Sequence, residues 1–126
     1  MKITLNRQSE VYIVHKLANR LEKETNFNVY MEYYWKGDEG LRNARFDLVL
    51  FDNELNIVAV IEAKHKKRLE VGAIRIEPNS MKFIKTKQLE RYYDILSKHN
   101  IPLILANLED NKEQIVLNDI LKILGK

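Results

Sequence analysis

The fold is decided by Arg45-Phe46-Asp47-Leu48-Val49-Leu50-Phe51, a polar turn Asp52-Asn53-Glu54-Leu55-Asn56, and Ile57-Val58-Ala59-Val60-Ile61-Glu62-Ala63-Lys64. Two β-rich runs joined by a short polar turn predict a β-hairpin. The second run is almost wholly apolar from Ile57 to Ile61, which predicts a strand covered on both faces. Side chains alternate along a strand, so Glu62 and Lys64 point the same way, about 6.6 Å apart. Two carboxylates and a lysine at the end of such a strand are costly to bury unpaired. A hard cation relieves the carboxylate repulsion and makes a hydrolytic site of the cluster.

Outward from the hairpin, the elements follow in order. Val11, Val14, Leu17, Ala18 and Leu21 recur at helical spacing, which predicts a helix from Ser9 to Thr25, with Ser9 as its cap and Asn26 as its stop. Phe27 to Trp35 is rich in aromatic and β-branched residues and predicts a strand. Lys36 to Ala44 holds two glycines and mixed charge and reads as a loop. After the hairpin, Lys66 to Ser80 reads as a short strand or a structured loop, with Gly72 and Pro78 favouring the loop. A helix from Asn79 or Ser80 to about Lys98 follows, then an apolar strand from Ile101 to Asn107. Glu113 to Leu117 reads as one more strand, with Asn118 capping a last helix from Asp119 to Leu124. This order predicts an α/β domain: an antiparallel meander, a further strand added by a crossover, and helices on both faces of a mixed sheet.

Bulk properties narrow the function. The chain has 126 residues, 45% of them hydrophobic and 31% charged, which suits one soluble globular domain. It has no cysteine, so disulfides, thiolate zinc sites and cysteine nucleophiles are excluded, and a reducing cytoplasm is expected. The N-terminal stretch has no apolar core of signal-peptide length, and no stretch approaches the roughly 18 apolar residues of a membrane span. The net charge of +3 says little about partners, but its distribution says more. Basic residues gather at Lys64, Lys66, Lys67 and Arg68, and again at Arg75, Lys82, Lys85, Lys87 and Arg91, while acids crowd Glu109, Asp110 and Glu113. A basic band beside an acidic site fits a polyanion such as DNA. A solvated lysine-rich face is the plain alternative.

The residues of the cluster have roles that physical chemistry assigns. Asp47 and Glu62, with the Ala63 carbonyl, are oxygen ligands suited to Mg²⁺ or Mn²⁺. Lys64 can stabilise growing negative charge or position an attacking water. Glu10 can help hold a second ion or orient a water. Gln88 can hydrogen-bond a water or a phosphate. Tyr92 stands one turn on from Gln88, on the same side of the helix, and can brace it or stack on a sugar or base. Plainer readings exist for each: a strand-end acid, a same-face ion pair, a helix N-terminal acid, a core tyrosine. His15, His65 and His99 are scattered and read as structural. Tyr30, Tyr33, Tyr34 and Trp35 read as sheet packing.

Asp47 followed by Glu62-Ala63-Lys64 resembles the core motif of the PD-(D/E)xK nuclease superfamily, and the element order from about Ser9 to Asn107 is similar to its αβββαβ core. Glu10 stands where many members carry an additional acid. Gln88 and Tyr92 resemble the Gln-xxx-Tyr motif of recombination-associated exonucleases and type I restriction nuclease domains. Phe46 stands where the name-giving proline would be, and Arg45 is similar to an arginine of resolvase-like members. The resemblance implies a restriction endonuclease-like fold and a Mg²⁺- or Mn²⁺-dependent DNA endonuclease. Its implied catalytic set is Asp47, Glu62, Lys64, Gln88 and Glu10, and its implied metal set is Asp47, Glu62, Ala63 and Glu10. DNA would meet Arg45, Lys66, Lys67, Arg68, Lys85, Lys87, Arg91 and Tyr92. The small size implies a homodimer, recognition of DNA shape, or a targeting partner. Two other readings stay open: a nucleic-acid-binding or assembly protein that keeps the fold without catalysis, and an α/β interaction module in which the spacing of the acids is chance.

Overall fold

A computed structural model describes residues 2–36, 44–64, 70–77 and 87–125, with side chains placed from Val11 onward in the first helix. Among these residues eight elements follow one another: α1 (Lys2–Glu24), β1 (Asn28–Trp35), β2 (Ala44–Phe51), β3 (Ile57–Lys64), β4 (Gly72–Arg75), α2 (Lys87–Ser97), β5 (Leu103–Asn107) and α3 (Glu113–Ile123). The strands form one mixed sheet in the order β1-β2-β3-β5-β4. The first three are an antiparallel meander, β5 runs parallel to β3, and β4 closes the far edge antiparallel to β5. The αβββαβ order predicted from sequence is present, with β4 added before α2. The domain is α/β, a five-stranded mixed sheet flanked by three helices.

The hairpin turn shows why it forms at Asp52. The Asp52 Oδ1 accepts the backbone N–H of Glu54 and of Asn56, each at 2.9 Å. Leu55 takes the left-handed backbone that closes the turn, at φ 65°. The donors from the Asn56 backbone and side chain hold the Asp52 carboxyl below its ordinary range.

The sheet separates two cores. On one face lie α1 and α3, whose Leu17, Leu21, Leu117 and Ile120 pack against Leu48, Leu50, Ile61 and Ile104. On the other lies α2, whose Leu89, Tyr92, Ile95 and Leu96 pack against Phe46, Val49, Val60 and Leu105. All five residues of β5 are buried, as a central strand covered on both faces requires. Each such fully buried aliphatic side chain contributes about 1.5–3 kcal/mol.

Two boundaries differ from the sequence expectation. Helix α1 begins at Lys2, so Ser9 lies inside it and is not its cap; no glycine or proline interrupts residues 2–9. Its buried stripe is Ile13, Leu17, Ala18 and Leu21, while Val11 is exposed. Residues 113–117 are the first turns of α3 and not a strand. Val116, Leu117 and Ile120 are buried at helical spacing, and ion pairs from Lys16 to Asp110 (3.1 Å) and Glu113 (3.2 Å) tie the start of α3 to α1. Helix α2 is described from Lys87; its expected start at Asn79 or Ser80 lies outside the described residues. Among the described residues, no helix is long and apolar enough to cross a membrane.

Candidate metal and phosphodiester site

The ladder between β2 and β3 ends at the pair Leu48–Ile61, and the next residues along the two strands are Asp47 and Glu62. There side chains take over from the backbone ladder. The Asp47 N–H donates to Glu62 Oε1 at 3.1 Å. The Ala63 N–H donates to Asp47 Oδ2 at 2.9 Å. Each carboxylate thus satisfies a backbone donor of the other's strand, and among the described residues each keeps a second oxygen without a backbone hydrogen bond. The two carboxyl groups are close enough for the charge of Asp47 to act on Glu62. Beyond this point β3 continues along β5, with Glu62 opposite Leu105 and Lys64 opposite Asn107.

The placement is electrostatically costly. Glu62 is 3% exposed. Burial first, and the neighbouring Asp47 charge second, push its carboxyl up to about 7. The backbone donor of Asp47 and the charge of Lys64 pull the other way without offsetting this. A dication between the two carboxylates would remove the repulsion. Hard oxygen donors of this kind fit Mg²⁺ or Mn²⁺, with the carbonyl of Ala63, next after Glu62, as a further donor. Among the described residues, no group of three or more His, Cys, Asp or Glu gathers at one point. Glu10 lies on α1, and its side chain is outside the described residues.

Lys64 is held by a relay from α2. Its Nζ donates to Gln88 Oε1 at 3.2 Å. Gln88 Nε2 donates to the Tyr92 hydroxyl at 3.2 Å. The Tyr92 hydroxyl donates to the Arg45 carbonyl at 2.9 Å, two residues before Asp47. Tyr92 is 3% exposed, and its ring meets Phe46 edge-on at 4.9 Å. Its hydroxyl is raised above its ordinary range by burial and then by the Glu62 charge. Tyr92 is therefore both core and brace, and the Gln88–Tyr92 spacing has a structural reason: one helical turn joins the lysine to the strand that carries Asp47.

The basic residues divide. Lys87 is exposed on the first turn of α2. Arg91 lies across the Tyr92 ring at 5.4 Å, and among the described residues its buried Nε has no hydrogen-bond partner. Arg45 points to solvent and pairs with Glu32 at 2.8 Å. Lys66, Lys67, Arg68 and Lys85 lie outside the described residues. Glu32 carried no signal in the sequence, where a lone acid among strand-forming residues reads as surface charge. It stands opposite Asp47, since its neighbours Met31 and Tyr33 pair with Leu48 and Phe46.

The chain matches no protein-family model, no curated protein and no solved structure.

Proposed function

We propose that this chain is a Mg²⁺- or Mn²⁺-dependent DNA endonuclease of the PD-(D/E)xK type. The observation that carries the reading is the reciprocal hydrogen bonding of Asp47 and Glu62 across two strands, with Lys64 on the same strand held by Gln88. Asp47, Glu62 and the Ala63 carbonyl would hold the cation, with Glu10 as a further acid. The cation would supply Lewis-acid polarisation of the phosphodiester and a more acidic water. Lys64 would sit beside the scissile phosphate and stabilise the charge that grows on it. Gln88 and Tyr92 would hold Lys64 in place and keep β2 at a fixed distance from α2. Lys87 and Arg91, with Arg45, Lys66, Lys67, Arg68 and Lys85, would contact the DNA backbone. The enzyme would act in the cytoplasm as a homodimer, presenting one site to each strand.

The test is cleavage. Purified protein with Mg²⁺ or Mn²⁺ is expected to cut plasmid, linear duplex or a four-way junction, and EDTA to stop it. Asp47→Ala and Lys64→Ala are each expected to lower the rate by at least about a hundredfold. Cutting that persists in both variants would assign it to a contaminant. The second reading is a nucleic-acid-binding protein without catalysis. It is favoured by one observation, that the described residues gather only two carboxylates at this point. Salt-dependent DNA binding with no heat of Mn²⁺ binding would select it.

A further inference from the structure

In a regular strand, residues two apart share a face. Two neighbouring strands break this rule at one shared pair. On β1, Val29 and Met31 pack in the core under α1 and α3, whereas Tyr33 and Trp35 pack in the core under α2. On β2, Ala44 and Phe46 pack under α2, whereas Leu48 and Leu50 pack on the opposite side. Both strands therefore lose one step of alternation between Met31 and Tyr33 and between Phe46 and Leu48. The pairing on either side keeps one register, so no residue has been inserted. The residues at the break are Glu32 and Asp47.

Glu32 has φ 53°, the left-handed region, inside a strand. An L residue with a long side chain is uncommon there. Such a residue rotates the peptide planes on either side of it and so inverts the order of faces. We propose that Glu32 is a positioning residue for the carboxylate pair: its left-handed backbone turns the β1–β2 ribbon over and lays the Asp47 side chain along the sheet toward β3. A regular ribbon would send Asp47 up or down, into one core or the other. The inverted one lets Asp47 Oδ2 take the Ala63 N–H in place of a backbone carbonyl. The same inversion releases the Asp47 N–H to Glu62. The exposed Glu32–Arg45 pair spans the break on the solvent side. The importance of this for metal binding rests on the nuclease reading; the geometric part does not.

The experiment compares Glu32→Gly and Glu32→Asn, which accept a left-handed backbone, with Glu32→Val and the milder Glu32→Thr, which resist it. Amide hydrogen exchange is followed by NMR in the metal-free protein, and Mn²⁺ affinity by calorimetry. Glycine and asparagine are expected to leave Ala63 exchange and Mn²⁺ affinity within about threefold of the parent. Valine and threonine are expected to speed Ala63 and Asp47 exchange by about tenfold or more and to weaken Mn²⁺ by a similar factor, with Val60 and Leu103 still protected. Retained Ala63 protection in a folded Glu32→Val or Glu32→Thr protein would overturn the proposal, and so would its loss in both Glu32→Gly and Glu32→Asn. A parent protein that binds no Mn²⁺ would end the nuclease reading, while the exchange result would still decide the role of Glu32.

Discussion

Replacing Glu62 with glutamine should stabilise the metal-free protein above neutral pH and leave it unchanged in acid. Glu62 is buried with its carboxyl pushed from an ordinary 4.5 up to about 7. Between those two values the folded chain binds a proton that the unfolded chain has released. Stability is therefore full below about pH 4.5 and falls as pH rises through 7, by about 1.4 kcal/mol for each pH unit between them. Over the interval from 4.5 to about 7 this comes to about 3 kcal/mol. Glutamine keeps the oxygen that accepts the Asp47 N–H and adds an amide that can donate to the Asp47 carboxylate, but it never ionises. In EDTA, the variant should match the parent at pH 4.5 and exceed it by about 2–3 kcal/mol at pH 8, a rise in Tm of roughly 10 °C. Urea unfolding at half-unit steps of pH measures both. Adding Mg²⁺ at pH 8 should stabilise the parent and not the variant. An advantage for glutamine that is the same at pH 4.5 and pH 8, or a loss at pH 8, would mean that Glu62 bears no burden of buried charge.

Three other outcomes follow from the same geometry. Tyr92→Phe removes a buried hydroxyl that joins Arg45 to Gln88, and should cost about 1–2 kcal/mol in urea unfolding while slowing cleavage about tenfold through a looser Lys64. Gly72→Ala would drive its new methyl against Asp119 Oδ2, the acceptor for the Ala73 N–H, and should cost about 2 kcal/mol or more; an unchanged urea midpoint would show that β4 and α3 yield easily. Arg91→Ala should weaken DNA binding alike on all sequences and lower the slope of log K against log salt by about 1; an unchanged slope would remove Arg91 from the phosphate contacts.

Much of the fold is legible because periodicity reports burial. The meander, β5 and α2 stand out where apolar runs match a strand or a helix period. Residues 113–117 misled because Ile115, Val116 and Leu117 are β-branched or apolar in a row, and propensity alone cannot see the ties from Lys16 that dock this segment as a helix. Ser9 misled because a good capping residue is also tolerated inside a helix. The acids of the site were legible as types and spacing: Asp47 and Glu62 do meet, and Lys64, Gln88 and Tyr92 do form one line. What could not be read was the way they meet. The reciprocal backbone bonds depend on a break in strand alternation at Glu32 and Asp47, and that break is set by one φ angle that leaves no mark in composition.

Soaking a crystal with Mn²⁺ and locating it by anomalous scattering decides whether Asp47 and Glu62 share one cation. A peak is expected within about 2.2 Å of one oxygen each from Asp47 and Glu62. A fully soaked crystal with no peak between those carboxylates, or with Mn²⁺ bound only elsewhere, would contradict it.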